Sequence, residues 1–183
     1  MNTQDVSSPY IEPWMRGTHG DVPAAGRAVL HALELALEDL TKWTAGLTDV
    51  EVNARPLGLP SVTFHLRHIA GSVDRILCYA EGKQLSAEQL GLLKSELNGN
   101  ELSGEETLAQ LMAAVDASLS NAAERVRVLA TADLDTLRGV GRKQLPTSIG
   151  GALIHVADHT MRHVGQVVTT AKVLVALRDW EDI

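Results

Sequence analysis

Three histidines near the end of the sequence, His155, His159 and His163, follow one another at intervals of four residues. In an α-helix, successive members of such a row are offset by only about 40°, so their rings form one slanting stripe on the helix surface. Two imidazoles at positions i and i+4 can bind one metal ion from a single helix turn. Both His-x-x-x-His pairs lack the glutamate of the zincin motif. The row therefore predicts a metal site that is built on a helix.

Such a site needs ligands from a second helix. A stable site for a divalent ion uses three or four N, O or S ligands, and a catalytic site leaves one position open for water or substrate. The segment around Phe64 carries His65 and His68 among apolar residues, and it can supply the missing imidazole. The residues alone predict a three-histidine site, with either position open for the third ligand.

Four long segments with apolar residues at helical spacing must position these histidines. They run from about Asp21 to Ala45, from the Ser61 cap to about Glu81, from a Ser103–Glu106 capping box to Leu129, and from Thr147 or Ser148 to about Arg178. A Ser86–Gln89 capping box predicts a further short helix to about Leu97. We therefore predict an all-α fold: a four-helix bundle with an extra short helix between its second and third helices.

The rest of the chain is predicted to form connections and an arm. Polar, glycine and proline residues mark 47–60 and 134–146 as connections. Residues 1–20 are interpreted as an N-terminal arm, whose Trp14 is expected to dock on the body or on a second subunit. Residues 21–183 are expected to form a single domain, and a homodimer that uses the arm is left open.

Composition and charge narrow the function classes. Hydrophobic residues are 45% of the 183 residues and aromatic ones only 3%, which favours a globular domain with an aliphatic core. The net charge of −7 and the lack of a basic block argue against nucleic-acid binding. Neither a signal peptide nor a run of 18 apolar residues is seen, so we expect a cytoplasmic protein that does not bind membranes. Cys78, the only cysteine, is interpreted as a packed thiol.

Two separated motifs carry a resemblance to a known family. The sequence FHLRHIAGSVDR, followed much later by LIHVADHTMRHVGQ, resembles the DinB/YfiT-like metalloenzyme family. The resemblance implies a four-helix bundle in which His68 joins His159 and His163 as the metal ligands. Many relatives have an arginine directly before the Gly-Gln pair, where this chain has Val164, so a role for that arginine is not expected here.

Other residues are candidates for the surroundings of the metal. By helical angle, four residues align with the ligands: Arg75, Tyr79, Gln166 and Thr170. His155 continues the stripe, and it is expected to support a ligand or to line the pocket wall. Three isolated histidines are interpreted as hydrogen-bonded core residues: His19, His31 and His65.

These features predict an enzyme that holds a divalent ion, with Zn, Ni or Fe favoured by imidazole ligands. The ion is expected to activate water or a low-molecular-weight thiol for hydrolysis or thiol S-transfer of a small-molecule substrate. The resemblance points the same way, because the family includes thiol S-transferases and a mycothiol-dependent maleylpyruvate isomerase. Two alternatives stay open: a non-catalytic, metal-stapled bundle that acts as a structural, binding or stress-response module, and a metal-free bundle with polar core histidines.

Overall fold

The structure is a computed structural model, and it describes residues 10–97 and 106–181. Its α-helices are α1 (Ala24–Thr44), α2 (Asp49–Asn53), α3 (Val62–Ala80), α4 (Ala87–Leu97), α5 (Leu108–Leu129) and α6 (Ile149–Glu181). Two short strands, β1 (Leu137–Val140) and β2 (Leu145–Ser148), precede α6, and 3₁₀ turns lie at Pro13–Met15 and Pro56–Gly58.

The four long helices form a bundle. Each of α1 and α3 packs against both α5 and α6, so the helices enclose one core. That core is aliphatic, with fully buried Leu, Ile and Val side chains from all four helices, such as Leu30, Leu66, Val115 and Leu153. The helix α4 packs along α3. The prediction of an all-α four-helix bundle with an extra short helix is confirmed.

The predicted N-terminal caps are confirmed at the starts of three helices. The Ser61 hydroxyl accepts from the Phe64 N–H at the start of α3, and Ser86 and Gln89 form the reciprocal bonds of a capping box at α4. The Ser148 hydroxyl accepts from the Gly151 N–H at the start of α6. These bonds satisfy backbone donors that have no partner within the helix.

The start of α5 differs from the prediction. A capping box forms between Thr107 and Gln110, so the helix begins at Leu108 and Glu106 precedes it. Ser103, where the box was predicted, lies outside the described residues. Both tetrapeptides have capping-box spacing, and the pattern alone does not rank them.

Two predicted connections contain regular structure. The segment 47–60 holds α2, which starts at a Thr48–Glu51 capping box. The segment 134–146 forms most of an antiparallel hairpin, in which Gly139 pairs with Pro146. Its turn places Gly141 and Gln144 at φ of 66° and 50°. Sequence alone favoured Gly141 for a left-handed conformation but gave no such signal at Gln144.

The N-terminal segment packs on α1 through polar side chains. Tyr10 and Arg16 both donate to the Glu38 carboxylate, whose pKa is lowered chiefly by the Arg16 hydrogen bond. The Trp14 side chain is mostly exposed, its indole N–H donates to Glu12, and it borders a groove along α1. None of the described helices has the length and apolarity needed to cross a bilayer.

Candidate metal centre

The structure brings His68 on α3 together with His159 and His163 on α6. The His68 and His159 Nε2 atoms lie 2.9 Å apart, and the ring centroids of His68 and His163 are 4.4 Å apart. Each of the three rings offers one nitrogen, and these nitrogens all lie within 4.8 Å of one another. The spacing of four residues places His159 and His163 one turn apart on α6, and bundle packing supplies the third ring.

This geometry fits a single metal ion. Two nitrogens that are each about 2.0–2.1 Å from a tetrahedral ion are about 3.4 Å apart. The closest pair here, at 2.9 Å, is a little below that distance, and the limit of 4.8 Å is somewhat above it. Small side-chain rotations would therefore bring all three imidazoles into coordinating positions. An ion would displace the proton that His68 and His159 now share.

The protonation of the rings also fits metal binding. Burial, together with the nearby His68 ring, lowers the pKa of both His159 and His163 to about 4. Both rings are therefore neutral at pH 7, which is the form that coordinates a metal.

His65 lies beside this triad. Its side chain is buried, and its Nδ1 is 3.1 Å from Nδ1 of His163. Burial is the main reason why the pKa of His65 is lowered to about 4. The structure thus places His65 in the core, as predicted for an isolated histidine, and it also places it in contact with one of the three clustered rings.

Glu96 on α4 is a site residue that the sequence reasoning missed. Its Oε2 is 2.9 Å from Nδ1 of His68, and both of its oxygens accept hydrogen bonds from Arg75. The face of α4 that carries Gln89, Leu93 and Glu96 at spacings of four and three was the available signal. That signal is weak, because a short helix with few apolar residues does not show which other helix it packs against.

Comparison with known families decides the relationship. The sequence model of the DinB superfamily matches residues 32–167, which is more than half of the 183-residue chain. The chain belongs to the DinB superfamily. Comparison with curated protein sequences gave no match. The matched range includes all three clustered histidines, so DinB membership and this cluster together fit a metal-binding protein.

The other candidate residues of this DinB-superfamily protein lie at different distances from the triad. Arg75 is buried and reaches the site through Glu96. His155 is half-exposed, with its ring 5.2 Å from that of His159 and its Nδ1 2.9 Å from an Asp158 oxygen. It therefore lies at the rim of the cluster.

Within the described part of the chain, the three remaining candidates form no hydrogen bond or ring contact with the clustered histidines: Gln166, Thr170 and Tyr79. Gln166 is exposed, and the buried Thr170 hydroxyl donates to the Pro60 carbonyl at 3.5 Å. Tyr79 is half-buried, and its position lies about 16 Å further along the axis of α3 than His68, given the rise of a helix.

A second cluster of possible ligands in this DinB fold joins His19, His31 and Glu34. The Arg127 guanidinium donates to His19 Nδ1 at 2.7 Å, so His19 must carry its proton on Nε2. That Nε2–H donates to Glu34 at 2.7 Å. Because neither nitrogen of His19 has a free lone pair, this cluster is satisfied by a guanidinium and suits a metal ion poorly.

A cavity of about 400 Å³ lies between α3, α4 and the start of α5. Two of its lining residues also contact His68: Phe64, which stacks on the His68 ring with an interplanar angle of 10°, and Glu96. Most of the exposed wall is apolar, with Ala70, Leu92 and Ala114 contributing, and charged side chains such as Arg67 and Asp74 also line it. An apolar small molecule could lie there, in contact with two residues that touch His68.

Proposed function

We propose that this protein is a metal-dependent enzyme, in which His68, His159 and His163 hold one divalent ion. The convergence of three half-buried imidazoles from two helices carries the proposal. Such an ion would lower the pKa of a bound thiol or water and polarise a substrate oxygen. Zinc, nickel and iron all suit an imidazole donor set.

Thiol S-transfer is favoured over hydrolysis, because the nearby carboxylates are already engaged. Glu96 accepts from both Arg75 and His68, and Asp158 pairs with His155 and Arg162. With these carboxylates engaged, the half-exposed imidazole of His155 is the base left to take a proton from water. A thiol loses its proton far more readily, so it depends less on such a base.

His155 is the candidate that can accept the thiol proton. Asp158 lies 2.9 Å from its Nδ1, which favours the tautomer with the proton on Nδ1 and a lone pair on Nε2. The ring is half-exposed at the rim, where an incoming thiol would arrive. The substrate class is therefore a low-molecular-weight thiol and a small electrophile, whose apolar part would occupy the cavity beside Phe64.

The first test measures metal content. Protein loaded with Zn²⁺, Ni²⁺ or Fe²⁺ and then desalted should retain about one equivalent of at least one of these metals, measured by inductively coupled plasma mass spectrometry. The His159→Ala variant should lose that equivalent. The control His19→Gln should retain it, because His19 belongs to the cluster that Arg127 satisfies. Loading that His159→Ala leaves unchanged would overturn the ligand assignment.

The second test measures turnover. Metal-loaded protein is assayed for conjugation of a panel of cellular thiols to an electrophile, with His163→Ala and His155→Gln alongside. We expect His163→Ala to lose both metal and turnover, and His155→Gln to keep the metal while turnover falls. Stoichiometric metal without turnover for any thiol or ester substrate would instead support the non-catalytic, metal-stapled bundle.

A further inference from the structure

We propose that Glu96, held by Arg75 and seated against Gly71, is a positioning residue that fixes the tautomer and the orientation of His68. The inference rests on the proposed function, since it concerns the ion that His68 would bind. It makes α4, which lies outside the four-helix bundle, a part of the metal site.

The Glu96 carboxylate makes three hydrogen bonds. Its Oε1 accepts from Arg75 Nη1 at 2.8 Å, and its Oε2 accepts from Arg75 Nη2 at 2.9 Å. Its Oε2 also lies 2.9 Å from Nδ1 of His68. A guanidinium that binds both oxygens fixes the plane of the carboxylate. It therefore also fixes the direction of the Oε2 lone pair that faces His68.

The consequence for His68 is a defined tautomer. A carboxylate only accepts, so Nδ1 of His68 must carry a proton, and in the neutral imidazole Nε2 then carries the lone pair. That Nε2 is the atom that faces His159 at 2.9 Å. Carboxylate partners of this kind hold metal-binding histidines in orientation and raise their basicity.

Gly71 provides the space for this arrangement. A Cβ atom at position 71 would lie 2.7 Å from Arg75 Nη1 and 3.0 Å from Glu96 Oε1. Any side chain there would displace the two charged groups from their present positions. The absence of a side chain at Gly71 therefore makes room for the Arg75–Glu96 ion pair. No backbone of a neighbouring helix is among the described atoms nearest to this position.

A purely structural role for the ion pair, as a tether between α3 and α4, makes a different prediction. Removing a tether would lower the stability of the metal-free protein and leave the intrinsic affinity of the folded site unchanged. Positioning predicts a loss of metal affinity, even in a variant whose fold is as stable as that of the wild type. Gly71→Ala separates the two, because alanine is the better helix former at a helical position.

The experiment compares Glu96→Gln and Gly71→Ala with the control Gly91→Ala. Gly91 lies on α4, where an added Cβ would meet nothing within 4 Å. For each variant, Zn²⁺ affinity is measured by chelator competition, the Co²⁺-loaded site by its visible absorption, and the metal-free fold by circular dichroism and melting temperature. We expect about a tenfold to hundredfold weaker Zn²⁺ binding for Glu96→Gln and Gly71→Ala, with an altered Co²⁺ spectrum. Gly91→Ala should match the wild type.

The outcomes separate this inference from the proposed function. Wild-type affinity and spectrum in both Glu96→Gln and Gly71→Ala, together with metal loss in His159→Ala, would overturn the positioning role and leave the metal enzyme standing. A wild-type protein that binds no divalent metal would overturn both. If Gly71→Ala fails to fold, Glu96→Gln alone decides, since it keeps the shape of the side chain.

Discussion

The Nδ1 atoms of His65 and His163 lie 3.1 Å apart, so one of these two rings donates a hydrogen bond to the other. If His163 binds an ion through Nε2, its Nδ1 carries the proton and must be the donor. His65 then accepts at Nδ1 and keeps its own proton on Nε2. The tautomer of the buried His65 therefore depends on whether His163 binds a metal ion.

Replacement of His65 by leucine should weaken metal binding. His65→Leu leaves the Nδ1–H of a coordinating His163 without an acceptor, and loss of such a partner typically costs about tenfold to hundredfold in affinity. Chelator competition measures the effect. His31→Leu is the matched control, since His31 is also buried on a helix but contacts Thr18. Equal affinities for the two variants would contradict the donor role of His163.

Removal of the metal should lower the melting temperature. A ligand at about 1,000 times its dissociation constant stabilises the folded state by about 4 kcal/mol. For a chain of this size each kcal/mol shifts the midpoint by about 2–4 °C, so a chelator should lower it by roughly 8–16 °C. Calorimetry with and without chelator measures this shift, and His159→Ala should show none. A wild-type midpoint that ignores the chelator would favour the metal-free bundle.

Thr160→Val should stabilise the protein by about 1 kcal/mol. Among the described residues, Thr160 Oγ1 is a buried side-chain oxygen without a hydrogen-bond partner. Valine has the same shape and removes the cost of burying that hydroxyl. Urea unfolding of the metal-free protein measures the difference. Thr63→Val is the control, and it should destabilise, because the Thr63 hydroxyl bonds to Val52 and Asn53.

Glu81 should make the stability depend on pH in the acid range. Burial alone would raise its pKa, but hydrogen bonds from Arg125 and Lys83 outweigh burial, and the pKa is lowered. The folded pKa is then below the unfolded value of about 4.3, so the contribution to stability is full above that value and disappears as pH falls through the folded pKa.

The variant Glu81→Gln tests this sign. It should lose about 1–2 kcal/mol relative to wild type at pH 7, because the Glu81–Arg125 pair is mostly buried. The difference should shrink as pH falls below about 4.3. Denaturant unfolding between pH 7 and pH 3 measures it, with the exposed Glu88→Gln as control. A difference that stays constant over this range would refute the assignment.

Two members of the histidine triad could be predicted because their signal is local. Four-residue spacing fixes His159 and His163 on one face of α6, whereas the choice of His68 over His65 came from the family resemblance. Tyr79 and Thr170 are candidates by helical angle alone. A helical wheel compares only angles, and each of these residues lies eleven positions beyond its reference histidine, or about 16 Å along the axis.

Glu96 and Gly71 could not be predicted because their roles are tertiary. The weak periodicity of α4 does not show that this helix folds back along α3 to meet Arg75. A glycine within a helix is compatible with several neighbours, and Gly71 meets charged side chains here. The hairpin was missed for a related reason, since Gln144 adopts a positive φ without being glycine.

The three clustered rings come from α3 and α6 alone, while α1 and α5 supply none of them. The helix α5 still contributes Ala114 to the cavity beside Phe64, whereas α1 contributes no residue to that cavity. A protein engineer could therefore rebuild the outward face of α1, for example to attach the fold to a support or to fuse it with another module, and leave the chemistry of α3 and α6 intact.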